Sequence, residues 1–231
     1  DRFREEGQTD KARLYPRFAQ EAAQGERPGS SAGGEQPKFT AYAATDSGPR
    51  HVLVKFSEAE DNPVSERWRD LLLVEHLALE TLVEAGIPAA RTRLIDAAGQ
   101  RFLEVERFDR VGERGRNALH SLAMLDAEFV SAATGSWPEI TRRLAEARIV
   151  ESEAVAGSAL LWAFGSLIGN TDMHNGNLSF LSDLGRPYAL APAYDMTAMA
   201  FAPRSGYSWS AGARTSRTHS SSSSPTTPGS T

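Results

Sequence analysis

The chain changes its hydrophobic rhythm near residue 115. Before that point, short apolar runs alternate with polar residues and are broken by Gly, Pro and Asp, the pattern of strands joined by tight turns. Lys38 to Ala44 and His51 to Phe56 predict one hairpin around Asp46-Ser47-Gly48-Pro49. Arg91 to Ile95 and Gln100 to Phe108 predict a second around DAAG. Between them Ser65 to Ala85 carries a helical repeat that Gly86 and Pro88 end. After Gly115 the repeat is helical over His120 to Ala133, Glu139 to Ala147 and Ala154 to Ile168. The last of these is apolar on every side and is expected at the centre of a core. A polar loop, NTDMHNGN, then precedes a third hairpin, with strands Leu178 to Phe180 and Tyr188 to Leu190 and a turn over Ser182 to Pro187.

The two ends read differently. Residues 1–28 are polar, with six acids and six bases. They are expected to be a linker or the end of a missing upstream region, with room for a short helix around Lys11 to Ala23. Residues 204–231 hold fifteen Ser or Thr and no acid, so they cannot bury enough apolar surface to offset chain entropy and are expected to be disordered. The remainder, 29–203, is expected to be one α+β unit of two lobes, strand-rich over about 29–115 and helix-rich over about 116–203.

Composition narrows the function classes. Hydrophobic residues make up 40% and charged residues 24% of the 231 positions, which is ordinary for a globular chain. A net charge of −5 argues against a general nucleic-acid coat, and Arg142, Arg143 and Arg148 read as a solvated helix face. The absence of Cys excludes disulfides, thiolate metal sites and cysteine nucleophiles. The longest apolar stretch falls short of the roughly 20 residues that a membrane span needs. No apolar leader opens the chain, so a cytoplasmic location is expected.

Three constellations carry candidate chemistry. SSAGGEQPK, Ser30 to Lys38, is a glycine-containing turn ahead of a strand, where the backbone could approach an anion closely or simply turn. Lys55 lies inside the apolar run VLVKF. On a helical wheel Glu75 falls opposite the wet face of His76, Glu80 and Glu84, among Leu71, Ala78, Leu79 and Leu82. A carboxylate there needs a partner. Lys55 is one, Arg93 is another, and a reach to the rim is a third solution. The loop NTDMHNGN brings Asp172, His174 and Asn177 together after an apolar helix, and the following hairpin returns the chain to Asp195 in APAYDM. Amide and carboxylate oxygens from Asn177 and Asp195 suit Mg²⁺. Asp172, with His174 beside it, is the candidate for proton transfer from a hydroxyl nucleophile. An Asx-turn cluster that only caps a helix is the bland alternative.

Glycine-rich loop, strand Lys, helix Glu, loop Asp and Asn, and a metal-binding Asp form the parts list of a phosphoryl-transfer enzyme, in protein-kinase-like order. The segments SSAGGEQPK, EHLALETLVEAGIPAAR, FLEVERFDR, NTDMHNGN and YDM together resemble the HipA family of bacterial serine/threonine kinase toxins. The 23-residue separation of Asp172 from Asp195 fits that family, and the resemblance covers about residues 28–200. It implies a two-lobed protein-kinase-like fold using ATP and Mg²⁺. Asp172 would be the base, Asn177 and Asp195 the metal ligands, and Lys55, fixed by Glu75, a phosphate contact. Glu106 to Phe108 would be the hinge beside adenine, and Ser30, Ala32, Gly33 and Gly34 the loop over the phosphates. Ser30 is the better match for autophosphorylation, with Ser31 its neighbour. The resemblance also implies an aminoacyl-tRNA synthetase as the protein substrate and a DNA-binding antitoxin as partner.

The family continues after its YD motif with several more helices, whereas about a dozen residues separate that motif here from the Ser/Thr-rich tail. A shortened second lobe with an exposed apolar face is therefore expected. Two other readings stand beside the protein kinase. One is a small-molecule phosphotransferase of the aminoglycoside or choline sort. The other is a remnant that acts only by binding.

Overall fold

A computed structural model describes residues 10–24, 36–132, 134–182 and 185–203. The Ser30–Gly34 loop and the 204–231 tail, with the expectations placed on them, lie outside the described residues.

Two hairpins build the first sheet. Strand β1 (Lys38–Thr45) pairs antiparallel with β2 (Gly48–Phe56), β2 with β4 (Gln100–Glu106), and β4 with β3 (Thr92–Ala97), in the order β1-β2-β4-β3. Successive side chains point to opposite faces of a strand, so register assigns each residue to a side. Lys38, Lys55, Leu103 and Leu94 share one row on the inner face. Phe39, Val54, Glu104 and Arg93 share the next row, on the outer face.

The outer face is covered by α1 (Lys11–Ala23), the short helix expected around those residues, which packs on the sheet. Asp10 caps the helix by accepting from Arg13 N–H. Leu14, Tyr15, Phe18, Ala19 and Ala22 then form a buried stripe on Phe39, Val52, Val54, Phe56 and Phe102. Arg13 and Arg17 stay exposed on the side away from the sheet, and averaging over the charges of the segment hides a stripe whose 1-4-5-8 spacing is in the sequence.

Helix α2 (Pro63–Glu84) starts at Asn62, whose side chain accepts from Val64 and Ser65 N–H, with Pro63 in the first turn. It lies under the inner face, with Leu72 beside Leu103 and Val105. Its far end enters the second core, where Leu79 and Leu82 join Leu122, Leu125, Trp137, Ile140, Leu144, Leu161 and Phe180. One helix thus belongs to both lobes.

After a short ribbon, β5 (Arg110–Val111) with β6 (Gly115–Arg116), a second sheet forms in the order β7-β8-β9. These strands are β7 (Ala118–Ser121), β8 (Ser179–Ser182) and β9 (Ala189–Leu190). The helix expected over His120 to Ala133 is corrected at its start. His120 and Ser121 pair with Phe180 and Ser179 in β7, and helix α3 (Leu122–Leu125) follows, capped by Ser121 and continued by a wider π turn over Asp126–Val130. Helices α4 (Trp137–Glu146) and α5 (Glu153–Leu167) lie where the pattern predicts them, within one or two residues.

Total burial of α5 is not observed. Ala154, Ser158, Leu161 and Gly165 face inward, whereas Leu160 is 44% and Leu167 85% exposed. The helix covers the second lobe as an outer layer, with an apolar face turned outward.

Candidate active site

Where the inner face of the first sheet meets the loop after α5, a cavity of about 350 Å³ opens. Its wall includes Lys38, Lys55, Trp68, Asp172 and Asp195. Lys55 is placed there by strand alternation, and the same register sets Lys38 beside it. Glu75 sits on the buried side of α2, as the helical wheel requires, at 1% exposure. Lys55 Nζ donates to both Glu75 oxygens at 2.7 and 2.8 Å and to Asp195 Oδ1 at 2.5 Å. Of the three solutions left open for Glu75, the structure shows the pairing with Lys55; Arg93 reaches Asp46 instead.

The charges of this trio are coupled. Burial works against the Lys55 ammonium, but Asp195 and Glu75 more than offset it and hold its pKa above the ordinary lysine range. Lys55 holds Asp195 below the usual carboxylate range against the opposing effect of burial. Burial pushes Glu75 up, and the nearby Asp195 carboxylate adds to the rise, against Lys55 and Thr197.

Asp172 is exposed at the cavity and held by its backbone. Its N–H donates to Asn170 Oδ1 at 3.0 Å, and its carbonyl accepts from Asn177 Nδ2 at 2.9 Å. Buried Asn170 in turn donates through Nδ2 to the Asp195 carbonyl at 3.4 Å. A run of bonds through Asn170 therefore links Asn177 and Asp172 to Asp195, the residues whose proximity the hairpin predicted. The loop is fixed from below as well: Trp137 Nε1 donates to the His174 carbonyl at 3.2 Å, and Met173 packs where any Cβ on Gly165 would collide with its sulfur.

His174, expected beside Asp172, follows it by two positions in the same loop. It is exposed, does not line the cavity, and its Nδ1 accepts from Gly176 N–H at 3.0 Å. Its ring fills the space a Cβ at position 176 would take, so it shapes the loop from outside. Asn177 also lies beside the cavity rather than in its wall. Glu106 and Phe108 stand apart from Lys55: the Glu106 side chain lines a separate hollow with Arg91 and Arg93, and Phe108 packs on Tyr194 at 5.8 Å between ring centres.

Sequence reasoning missed four residues here. Thr197 Oγ1 donates to Glu75 Oε2 at 2.7 Å, closing the ion-pair cluster from the far side. Asn170 and Tyr194 position the loop, and Lys38 shares the cavity wall. Lys38 was legible as the residue whose parity along β1 matches the inner face. The other three make contacts across 15 to 122 positions that no local pattern reports.

A strand-rich lobe bearing a Lys–Glu pair over a helical lobe bearing an Asp–Asn loop defines the protein-kinase-like class. Two solved structures share this fold. The HipA of Shewanella oneidensis MR-1, solved with HipB and operator DNA, matches at a TM-score of 0.52 and 24% identity, over 73% of this chain and 44% of that one. The proinflammatory kinase CtkA of Helicobacter pylori matches at 0.55 and 16%, over 75% and 57%. The model of the HipA-like C-terminal domain matches residues 30–226, and the chain belongs to that family. Toxin YjjJ of Escherichia coli strain K12 is 51% identical over 193 residues, 83% of this chain. The chain spans 43% of that relative's length.

Proposed function

We propose that this protein is an ATP- and Mg²⁺-dependent serine/threonine kinase of the HipA type, transferring the γ-phosphoryl group to a protein hydroxyl. The observation that carries the reading is Lys55 held between Glu75 and Asp195 in the cavity that Asp172 borders. A fixed ammonium needs no reorganisation as charge develops on a transferring phosphoryl group. Asp172, exposed at the cavity mouth, would accept the proton of the acceptor hydroxyl.

The donor set suits Mg²⁺. Among the described residues no cluster of three His, Cys, Asp or Glu forms a self-sufficient metal cage. Mg²⁺ in kinases binds through one or two protein groups plus phosphate oxygens, which fits Asn177 and Asp195. Lys55 takes Asp195 Oδ1, which leaves Oδ2 for the cation, and Asn177 uses its amide nitrogen on Asp172, which leaves its oxygen. When bound, the cation would neutralise charge on the β- and γ-phosphates.

Membership of the family supports an aminoacyl-tRNA synthetase as the class of substrate and a DNA-binding antitoxin as partner, as well as autophosphorylation at Ser30 or Ser31. No helix of the described residues is long and apolar enough to cross a membrane, in keeping with a cytoplasmic site of action.

The decisive test is Asp172→Asn. The variant should keep the upward shift of its thermal transition with ATP and Mg²⁺ yet lose about 10²- to 10⁴-fold in phosphoryl transfer. Turnover equal to the wild type removes Asp172 as the base. Transfer to an amino alcohol with none to protein favours a small-molecule kinase, and a wild-type transition that nucleotide leaves unmoved favours a binding remnant.

A further inference from the structure

The segment from Ala193 to Asp195 runs along the seam between the lobes. Ala193 is tied to the first lobe, donating to the Pro88 carbonyl at 2.9 Å and accepting from Ala90 N–H at 2.8 Å. The Tyr194 ring packs with Leu72, Leu103 and Val105 under the first sheet, against Phe108. Its hydroxyl belongs to the second lobe: it donates to the Gly176 carbonyl at 3.0 Å and meets Ser179 Oγ at 2.7 Å. Asp195 follows at φ +57°, a left-handed backbone that is uncommon outside glycine and is held only where its surroundings fix it.

We propose that Tyr194 is a positioning residue for the cation site, setting the distance between its two protein ligands; the inference rests on the kinase reading. Asn177 is joined by one peptide bond to the carbonyl that Tyr194 holds, and Asp195 is joined by one peptide bond to Tyr194 itself. The other bonds of Asn177, from its N–H to the His174 carbonyl at 3.0 Å and from Nδ2 to the Asp172 carbonyl at 2.9 Å, stay within the loop and fix its shape. The Tyr194 hydroxyl fixes where that loop stands relative to Asp195. The Asn170 bond to the Asp195 carbonyl supports the same junction at a longer 3.4 Å. Because the ring is anchored in the first lobe, the junction also follows the closure of the lobes on each other. Tyr194→Phe removes the hydroxyl and keeps the ring, so it separates positioning from packing.

The experiment is a thermal-shift titration of the full 231-residue chain with Mg²⁺ at fixed ADP, for the wild type, Tyr194→Phe and Ser179→Ala. Groups that orient metal ligands typically contribute 10- to 100-fold in metal affinity. Tyr194→Phe should therefore need about tenfold more Mg²⁺ for half of the ADP-dependent shift, with the metal-free ADP shift unchanged. Ser179→Ala, which removes only the group that orients the hydroxyl, should move the midpoint in the same direction by less. Phosphoryl transfer by Tyr194→Phe should be reduced at low Mg²⁺ and recover at high Mg²⁺, which a general loss of packing does not produce. A Tyr194→Phe midpoint equal to the wild type overturns the inference alone. A wild-type transition that ADP and Mg²⁺ leave unmoved overturns the kinase reading, and the inference with it. If Tyr194→Phe loses its cooperative melt, Ser179→Ala decides, and an unchanged midpoint there overturns the inference.

Discussion

Lys55, at 5% exposure between two carboxylates, contributes to stability chiefly by what it prevents. Glu75 is 1% exposed and bonded by Lys55 and Thr197, so removing the ammonium leaves a buried acid with one hydroxyl for company. Breaking such a pair from one side costs about 3–5 kcal/mol, whereas replacing both partners by apolar groups can be nearly neutral. Lys55→Met should accordingly lower the unfolding free energy from denaturant melts by an amount in that range, and Lys55→Met with Glu75→Leu should recover much of the loss in a double-mutant cycle. Additive single changes would show that the pair is not coupled. The burial of Glu75 was legible from the helical wheel, because the direction of a helical side chain follows from 100° per residue. The Asp195 and Thr197 bonds were not, since they join positions 140 and 122 residues apart.

At the scale of elements, α1 shows how composition misleads where position does not. Its docking buries Tyr15 and Glu104 together, and the Tyr15 hydroxyl donates to a Glu104 carboxylate that also binds Lys11 Nζ at 2.7 Å. Burial, followed by the neighbouring Glu104 charge, pushes the Tyr15 pKa far above that of a free phenol. The folded state therefore keeps a proton that the unfolded chain releases near pH 10, and stability falls as pH rises above that value. Lys55 has a raised pKa and acts in the same direction, so the informative quantity is a difference. Between pH 9 and 11 the wild type should lose more stability than Tyr15→Phe, by up to about 1.4 kcal/mol per pH unit once the unfolded phenol has ionised. Equal slopes in urea melts would mean that α1 does not hold Tyr15 against the sheet. Hairpins and α2 were readable because turn residues and caps are local signals. The β7 start at His120 was not, because its partner Phe180 lies 60 residues on and the intervening helices mask strand alternation.

For the molecule as a whole, α5 decides how the second lobe meets its surroundings. The segment Ala154 to Ile168 contains no charged residue, and a helix of that kind normally lies between two layers. Here the stripe Ala154, Ser158, Leu161 and Gly165 packs inward, while Ala156, Ala159, Leu160, Ala163 and Leu167 face away at spacings of three and four. Phe201, 58% exposed, lies close by, its ring 3.4 Å from where a Gly169 Cβ would stand. Small and apolar residues at helical spacing form the surface on which another helix packs, whereas the sequence reading expects an exposed face only from a shortened second lobe and does not say where it lies. Hydrophobic content alone could not separate this arrangement from full burial. The two differ in what the outward side chains contribute to folding. Leu160→Lys with Leu167→Lys should change the unfolding free energy by no more than about 0.5 kcal/mol per site, since lysine stems can lie along the helix while the ammonium stays in water. The same pair of changes should reduce concentration-dependent association in sedimentation velocity. A loss of several kcal/mol would instead place both leucines in a packed interface within the 231-residue chain, and the outward stripe would then be part of its core.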